Sequence, residues 1–472
     1  MSSPVLILDN GGHTIKCGWS TSSVDDVQVI PNAVVRSKSE KRQYIGHEFS
    51  SCTDYSSLNW RLPVEKGFIA DWDAQKAVWD GIFDKVLNVE PSQTSLLITE
   101  PPFNLPNIQE QYDQLIFEEY EFESYYRAPA AFFAPYKDLF AEPNSSSPPP
   151  ECTLIVDSGF SFTHVIPIME GSIFWPGVRR IDVGGKLLTN HLANLVSYRQ
   201  WNMLDQTHII NDVKESCCYV GNTAARFGLD LELCRAKPKR NPIIQEYLLP
   251  DYSRNRPGRL HNPQDIITDS DQILYMENER FSVPEVLFRP SDIGMDQAGL
   301  AETIAASIST LPIDLQGMFW ANIGLIGGNT RIPSFEERLL SDLRPLAPVD
   351  AEISLYKDEN PILTAYGSAH EFVSQDNFAQ VCVTLEEYNE GGSNAVRRKI
   401  RDWKDVGVAP TLPSRRQNTK EKEKTEQERN TPSRGTPVGK GTARRQSAVG
   451  VGASSKQKTA SKPQAVRALR GK

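Results

Sequence analysis

Apolar runs along this chain twice end in an acidic, glycine-containing turn. Residues 5–8 lead into Asp9, and residues 154–156 lead into Asp157. In both places a second apolar-rich run follows the turn, which predicts a β-hairpin with a carboxylate at its tip. Because the same pattern recurs along the chain, we expect two duplicated α/β lobes that face each other.

Helical periodicity follows each predicted hairpin. Residues 73–87 place apolar side chains on one face at helical spacing, and residues 185–198 do the same. A further apolar run, residues 323–326, leads into a glycine-rich turn and then into a predicted helix over residues 334–343. Strands that alternate with amphipathic helices indicate a mixed α/β fold.

The predicted turns carry residue types that can hold a polyphosphate. Successive backbone N–H groups can cradle an oxyanion, and glycine allows the backbone to approach it closely. Two facing carboxylates, Asp9 and Asp157, can hold magnesium through its water molecules. Either turn alone is more typical of an ordinary hairpin, and only their pairing favours a site. The candidate nucleotide-binding residues from these turns are Asp9, Asn10, Gly11, Gly12, Lys16, Asp157, Ser158, Gly159, Gly327, Gly328 and Asn329.

Charge is distributed unevenly along the 472 residues. Residues 394–472 hold 21 Lys and Arg against 6 Asp and Glu, a balance of +15, so the net charge of −9 leaves −24 for residues 1–393. Residues 391–472 also lack hydrophobic periodicity, which predicts a basic, disordered tail, although residues 394–403 can extend a final helix. Such a tail can serve nuclear import or contact DNA phosphates without sequence preference.

Cysteine usage and hydropathy exclude several other classes. The seven cysteines have no Cys-x-x-Cys pair, which argues against a zinc site or a disulfide framework and for a reducing compartment. No apolar stretch reaches the roughly 20 residues that a membrane helix needs, so we expect no membrane partner.

Together these motifs resemble the two phosphate motifs and the adenosine motif of the actin family. The resemblance covers about residues 4–385, and residues 62–73 also look like the actin segment that leads into its first helix. It implies the actin fold, with duplicated RNase H-like lobes and four subdomains around a nucleotide cleft. The implied actin-like domain is residues 1–390, divided as lobe one at about 1–147 plus 350–390, lobe two at about 148–349, and an insertion at about 254–270.

The resemblance also implies a nucleotide, ATP or ADP with magnesium, and adds Lys214 and Glu215 as adenosine contacts. Three departures bear on hydrolysis. Ala130 stands where actin has the glutamine that positions the attacking water, His13 replaces a glycine, and Phe160 replaces an aspartate. A methyl group cannot orient water for in-line attack, so we expect no ATP hydrolysis and no catalytic residue.

Two further departures lie near the implied purine site, where Ile332 and Asn360 replace an aromatic residue and a lysine.

Filament formation is also disfavoured. Residues 36–61, which form a filament-contacting loop in actin, are short and polar, and Asp292 replaces an apolar residue at another contact.

Residues 160–164, 182–190 and 247–253 are similar to one nuclear class of actin-related proteins. That similarity implies a structural subunit of an SWR-type chromatin-remodelling complex, which exchanges the Z variant of histone 2A into nucleosomes and so influences transcription. The implied partners are the other subunits, including a separate motor ATPase, and the nucleosome and its histones. The expected location is the nucleus, with cytoplasm also open. The alternatives are an actin-fold ATPase and a cytoplasmic actin-related protein of the cytoskeleton.

Overall fold

The computed structural model describes residues 4–56, 58–140, 150–236, 241–265, 267–268 and 271–400, which all belong to one compact unit. The strands are β1 (Val5–Asn10), β2 (Thr14–Trp19), β3 (Gln28–Pro31), β4 (Val34–Ser37), β5 (Gln43–Ile45), β6 (Leu58–Arg61), β7 (Val64–Glu65), β8 (Phe68–Ile69), β9 (Ser95–Glu100), β10 (Ser124–Pro129), β11 (Cys152–Ser158), β12 (Thr163–Met169), β13 (Ser172–Ile173), β14 (Arg179–Ile181), β15 (Gln245–Leu248), β16 (Arg259–Leu260), β17 (Ile273–Met276), β18 (Ile323–Ile326), β19 (Leu355–Lys357) and β20 (Val383–Thr384). The helices are α1 (Trp72–Gly81), α2 (Pro106–Gln114), α3 (Ala130–Phe133), α4 (Gly185–Arg199), α5 (Thr207–Cys217), α6 (Ala224–Ala236), α7 (Glu279–Glu285), α8 (Leu300–Ile308), α9 (Gln316–Ala321), α10 (Phe335–Leu343), α11 (Thr364–Val373), α12 (Phe378–Val381), α13 (Leu385–Gly391) and α14 (Ser393–Lys399).

Two six-stranded sheets repeat one plan. In the first, the order is β20-β10-β9-β1-β2-β3, with β1 antiparallel to β2 and parallel to β9. In the second, the order is β13-β12-β11-β18-β19, and β14 also pairs with β12; β11 is antiparallel to β12 and parallel to β18. Each lobe therefore has an antiparallel hairpin joined to parallel strands, and the predicted mixed α/β fold of two duplicated lobes is confirmed.

The repeated plan brings both acidic turns to equivalent places. β1 and β11 are buried along most of their length, and Asp9 and Asp157 lie near their carboxyl ends. Ligands of open α/β sheets bind at that edge, beyond the carboxyl ends of the strands. The helix predicted over residues 73–87 is α1 followed by one π-helical turn, Ile82–Val86, and it packs its apolar face into the core of lobe one.

Strand β19 corrects one predicted boundary. It pairs in parallel with β18, at the edge of the second sheet. The chain therefore stays in lobe two past residue 350, whereas the sequence predicts a return to lobe one at about that residue. The physical reason is that α10 forms the crossover between two parallel strands of the same sheet.

Two three-stranded sheets stand apart from the large ones. Strands β5-β4-β6 enclose a core around Val35, Tyr44 and Phe49, so the segment predicted to be polar over residues 36–61 has an apolar interior of its own. Strands β16-β15-β17 form the other small sheet, and β16 lies in the predicted insertion at 254–270. Residues 266, 269 and 270 of that insertion lie outside the described residues.

The folded chain continues past the predicted tail boundary at residue 391, which is therefore wrong, whereas the expectation that residues 394–403 can extend a final helix agrees with α14 as far as the described residues reach. Helix α14 follows α13 directly, and Val396 and Ile400 are buried in the core of lobe one. Ion pairs of Arg397 with Glu110 and of Lys399 with Glu387 hold its basic residues to the body. Val396 and Ile400 are four residues apart, and their burial holds the helix on the body despite the charged residues around them. The rest of the predicted tail, residues 401–472, lies outside the described residues.

All seven cysteines are free and buried, in agreement with the expectation of no disulfide framework. Within the described ranges, no helix combines the length and apolar character needed to cross a membrane.

Candidate functional site

A cavity of about 360 Å³ lies between the carboxyl ends of the two large sheets. Its volume is within the range typical of small-molecule sites. Twelve of the thirteen candidate residues line it: Asp9, Asn10, Gly11, Gly12, Lys16, Asp157, Gly159, Lys214, Glu215, Gly327, Gly328 and Asn329. Chain segments far apart in sequence thus meet around one space.

Ser158 is the candidate that does not line the cavity. Its buried hydroxyl lies 2.9 Å from the Thr163 hydroxyl and accepts a hydrogen bond from Asn329 Nδ2 at 3.2 Å. Asn329 Nδ2 also donates to the Gly159 carbonyl at 2.8 Å. The Ser158 side chain therefore links the second acidic turn to the Gly327–Asn329 turn, and does not face the ligand space.

The first acidic turn is held by a dense polar network. Thr99 Oγ1 donates to Asp9 Oδ1 at 2.8 Å, and Lys16 Nζ lies 3.2 Å from Asp9 Oδ2. The amide of Asn10 is fixed at both ends, because it accepts from Trp79 Nε1 at 3.2 Å and donates to Tyr112 Oη at 3.1 Å. These bonds orient the turn, so Asn10 shapes the wall mainly through its backbone.

The second carboxylate differs in its electrostatics. Burial, and then the negative charge of Asp9, raise the pKa of Asp157 to about 7 from an ordinary value of 3.8, while Lys16 opposes the shift. A carboxylate in this state needs a nearby positive charge to stay ionised. A magnesium ion or a cationic group in the cavity would supply that charge.

Two glycines keep the cradle open. A Cβ on Gly12 would lie 2.9 Å from Ser161 Oγ in the opposite turn. Gly327 has a φ of +92°, and a Cβ there would lie 2.4 Å from the Ser158 carbonyl oxygen. A side chain at Gly12 would press on the facing turn, and one at Gly327 would collide with the end of β11, so glycine keeps the space between the turns open for a phosphate.

Helix α5 supplies the part of the wall assigned to adenosine. Lys214 Nζ donates to Asn211 Oδ1 at 2.9 Å and to Thr189 Oγ1 at 3.0 Å, and burial lowers the Lys214 pKa. Glu215 accepts from Asn211 Nδ2 at 2.7 Å. Ile332 also lines the cavity, whereas Asn360 does not lie in its wall. This end of the cavity therefore combines an apolar surface with polar groups already held in place.

The two residues that depart from actin at the turns meet across the cavity. The rings of His13 and Phe160 stack with centroids 4.7 Å apart and an interplanar angle of 27°. Although the His13 ring stays accessible from the cavity, enclosure by the turns lowers its pKa to about 4, with Lys214 and Lys16 adding to the shift and Glu215 opposing it. Near neutral pH the stack is therefore an uncharged aromatic pair.

Ala130 lines the cavity at the first position of α3, directly after Pro129. Its methyl group has no hydrogen-bonding capacity. The nearby acid in the wall, Glu100, is buried and already accepts bonds from Asn104 Nδ2 at 2.7 Å and Gln109 Nε2 at 3.2 Å. Both carboxylate oxygens of Glu100 therefore already have donors from the protein.

His164 and Arg331 are among the wall residues that sequence reasoning missed. His164 is the cross-strand partner of Asp157 in the β11–β12 hairpin, and burial, with the charge of Arg180, lowers its pKa to about 3. The sequence signal that could have found His164 is the hairpin pairing, because counting outward from the turn places it opposite Asp157. Arg331 follows Asn329 by two residues, in the 3₁₀ turn Gly328–Arg331.

The residues present fit a nucleotide with magnesium. Gly12 and Gly327 leave room for phosphate at the cavity wall, and the Lys16 ammonium adds a positive charge beside Gly11. Asp9 and Asp157 are the carboxylates of the two turns, so the ion would be held through phosphate oxygens and water.

Comparison with known proteins agrees with this geometry. The sequence profile of the Actin family matches residues 1–401. "Actin-like protein ARP6" of Cryptococcus neoformans is 49% identical over 420 residues, covering 84% of both chains. "Actin-related protein 6" of Drosophila melanogaster is 35% identical over 403 residues, covering 84% of this chain and 100% of the fly protein. The protein of the same name from Arabidopsis thaliana is 35% identical over 425 residues, covering 84% and 99%.

Proteins of the actin family typically bind nucleotide with magnesium, which suits the cavity between the two acidic turns. The profile spans both large sheets, and the similar proteins named actin-related protein 6 come from fungi, an insect and a plant. This chain therefore belongs to the actin family, among the relatives named actin-related protein 6.

Proposed function

We propose that this chain is a non-polymerising nuclear subunit of an SWR-type remodelling complex, in which it acts as a structural adaptor. The complex would exchange the Z variant of histone 2A into nucleosomes and influence transcription, and its motor ATPase would be a different subunit. The observation that carries the proposal is a cleft that keeps its phosphate cradles but has Ala130 in place of a water-positioning group. Such a cleft suits a bound nucleotide that stabilises the fold without being consumed.

In this account the nucleotide acts as a clamp between the lobes. A ligand that binds only the folded state adds stability by mass action, about 2.7 kcal/mol at 100 times its Kd. Lys16 of lobe one would contact the phosphates, and Gly11 and Gly12 of lobe one and Gly159 and Gly327 of lobe two would leave space for them at the cavity wall. Magnesium, when bound, would neutralise phosphate charge beside Asp9 and Asp157.

Two surfaces argue against filament formation. Asp292 is exposed at the end of a short 3₁₀ turn, Pro290–Ile293, where a charge disfavours an apolar contact. The small sheet β5-β4-β6 carries Phe49 and Tyr55, which pack against His208 of lobe two. Aromatic residues engaged within the chain are not available for contacts between subunits.

The insertion at 254–270 is the proposed docking surface for other subunits. Arg256 and Arg259 are exposed there, in loose ion pairs with Asp271 at 3.7 Å and Asp265 at 3.5 Å. Exposed pairs of this kind contribute little to stability, so both arginines can exchange partners at small cost. An acidic subunit would fit this surface.

Nuclear location is proposed from the basic composition of residues 401–472, and cytoplasm is the alternative. Because Arg397 and Lys399 pair with body residues, import would depend on basic residues further along the chain, such as Arg415 and Arg416. The same segment would add salt-sensitive, sequence-independent contacts to DNA.

A tagged pull-down from nuclear extract in moderate salt, read by mass spectrometry, tests the adaptor role. We expect recovery of a large remodelling ATPase together with the variant histone. An Arg256→Glu, Arg259→Glu double variant should recover less of them, while Tyr198→Ala, at an exposed residue outside the insertion, serves as the matched control.

The alternatives predict different results. An actin-fold ATPase would release phosphate steadily as a purified monomer. A cytoskeletal actin-related protein would co-purify with cytoskeletal proteins and would stay in the cytoplasm after deletion of residues 401–472. Either result would contradict the adaptor role.

A further inference from the structure

The tips of the two acidic turns meet in the wall of the cavity. His13 and Phe160 stack at 4.7 Å, and the position of a Gly12 Cβ is only 2.9 Å from Ser161 Oγ in the facing turn. A phosphate chain that begins at the adenosine end, beside Lys214 and Ile332, would run toward these tips. The last phosphate of the chain would therefore reach the ring pair.

Positive charge is scarce at the tips. The cations that line the cavity, in the part of the chain that the structure describes, are Lys16, Lys214 and Arg331. Lys16 lies 3.2 Å from Asp9, and Lys214 donates to side-chain oxygens of lobe two. Arg331 ends the 3₁₀ turn Gly328–Arg331 and is exposed. A further phosphate at the tips would meet aromatic faces instead of cations.

We propose that the His13–Phe160 ring pair makes this cleft selective for a nucleoside diphosphate over the triphosphate. The inference rests on the proposed nucleotide clamp and adds the identity of its ligand. A third phosphate would force the rings apart and lose their contact. It would also place an anion against two aromatic faces with little positive charge to balance it, which is unfavourable.

The neutral state of His13 supports this reading. Enclosure lowers its pKa to about 4, so at neutral pH the imidazole carries no charge to offer an approaching phosphate. The Phe160 ring takes the place where the family has an aspartate, and so removes a carboxylate that would help to hold magnesium waters near a terminal phosphate. Both changes favour the shorter nucleotide.

Competition binding measures the selectivity directly. Purified full-length protein is loaded with a fluorescent ADP analogue in magnesium buffer, and unlabelled ADP and ATP displace it in separate titrations. We expect ADP to bind about tenfold or more tightly than ATP, the discrimination typical of a steric mismatch in a pocket. His13→Gly and Phe160→Asp should each reduce that ratio toward one, and His13→Phe, which keeps a stacked ring, should retain it.

The outcomes separate the two layers of the proposal. Equal affinity of the wild-type protein for ADP and ATP would overturn the selectivity and leave the clamp intact. Tighter binding of ATP would do the same. Failure of both nucleotides to bind the wild-type protein, checked by equilibrium dialysis with radiolabelled ADP, would overturn the clamp and the selectivity together.

Discussion

Tyr55 stacks on His208 with ring centroids 4.7 Å apart and an interplanar angle of 25°. Tyr55 belongs to the small sheet region of lobe one, and His208 lies on α5 of lobe two. Phe49 and Trp60 approach the same imidazole at 5.7 and 6.3 Å. These four residues form an aromatic latch between the lobes. The latch contacts α5, the helix that also carries Lys214 and Glu215.

The latch should slow nucleotide release. His208→Ala removes the ring that all three lobe-one aromatics contact, and each aromatic pair contributes about 0.5–1.5 kcal/mol. We expect dissociation of a fluorescent nucleotide, followed by stopped flow, to accelerate by about tenfold. His208→Phe should keep the slow rate, and Tyr198→Ala, at a residue 92% exposed, should leave it unchanged. An unchanged rate in His208→Ala would show that the latch does not restrain the cleft.

A buried ion pair in lobe two is expected to be costly to break. Arg338 donates two hydrogen bonds to Glu285, at 2.7 and 2.8 Å, and the side chains are 1% and 0% exposed. Arg338→Met would leave the Glu285 carboxylate buried without this partner, and we expect a loss of about 3–5 kcal/mol in the free energy of unfolding. Urea denaturation measures it.

The control for that experiment is Asp73→Asn, which breaks a 3.9 Å pair with Arg61 at a carboxylate 95% exposed. It should change the free energy of unfolding by less than about 1 kcal/mol. Equal effects of the two substitutions would contradict the assignment of Arg338 and Glu285 as a buried, mutually dependent pair.

Asp157 should make stability depend on pH in an unusual direction. Its folded-state pKa of about 7 lies above its ordinary value of 3.8, so the folded chain holds this proton more tightly than the unfolded chain. The stability from this group is present below about pH 4 and is lost as the pH rises through 7. The pKa values of His13 and His164 are lowered in the folded chain, so their contribution to stability has the opposite pH dependence. It is present above pH 6.5 and is lost as the pH falls below 6.5.

The substitution Asp157→Asn isolates the contribution of this carboxyl group to the pH dependence of stability. In nucleotide-free protein we expect the variant to gain stability relative to wild type between pH 5 and pH 8, read from urea midpoints. Asp73→Asn should track the wild type across this range. Parallel curves for Asp157→Asn and wild type would show that Asp157 is ionised alike in the folded and unfolded chains.

The cleft should not turn over ATP. Phosphate release by the wild-type protein, measured with a colorimetric phosphate assay, should equal the rate in buffer. Because Ala130 and Phe160 stand where actin has a glutamine and an aspartate, the Ala130→Gln, Phe160→Asp double variant should raise the rate measurably. The control double variant, Ala130→Leu with Phe160→Asp, fills the space without orienting water and should not raise the rate of phosphate release. Steady wild-type release that Asp157→Asn abolishes would contradict the account.

Much of the fold and most of the site could be predicted from the sequence, because the signals are local. Apolar runs that end at Asp9 and Asp157 specify two hairpins, and their repetition indicates duplicated lobes. Twelve of the thirteen candidate residues meet around one cavity, because the carboxyl ends of parallel strands share an edge. Ser158 was misplaced because hairpin alternation, and not the motif itself, decides which way a side chain faces.

Features that depend on distant contacts could not be predicted. The latch joins Tyr55 to His208, which are far apart in sequence and carry no joint pattern. The stack of His13 on Phe160 likewise follows from the closure of the lobes, although both residues stood out individually. Helix α14 was assigned to the tail, because its basic residues concealed the pair Val396 and Ile400.

The central claim, an adaptor role in variant-histone exchange, is tested most directly by measuring exchange itself. Remodelling complex purified from cells with and without this chain would be given nucleosomes, ATP and the Z variant of histone 2A. We expect deposition of the variant to fall strongly without the chain and to return when the wild-type protein is added back. Undiminished deposition in its absence, with the complex verified to lack it, would contradict the account.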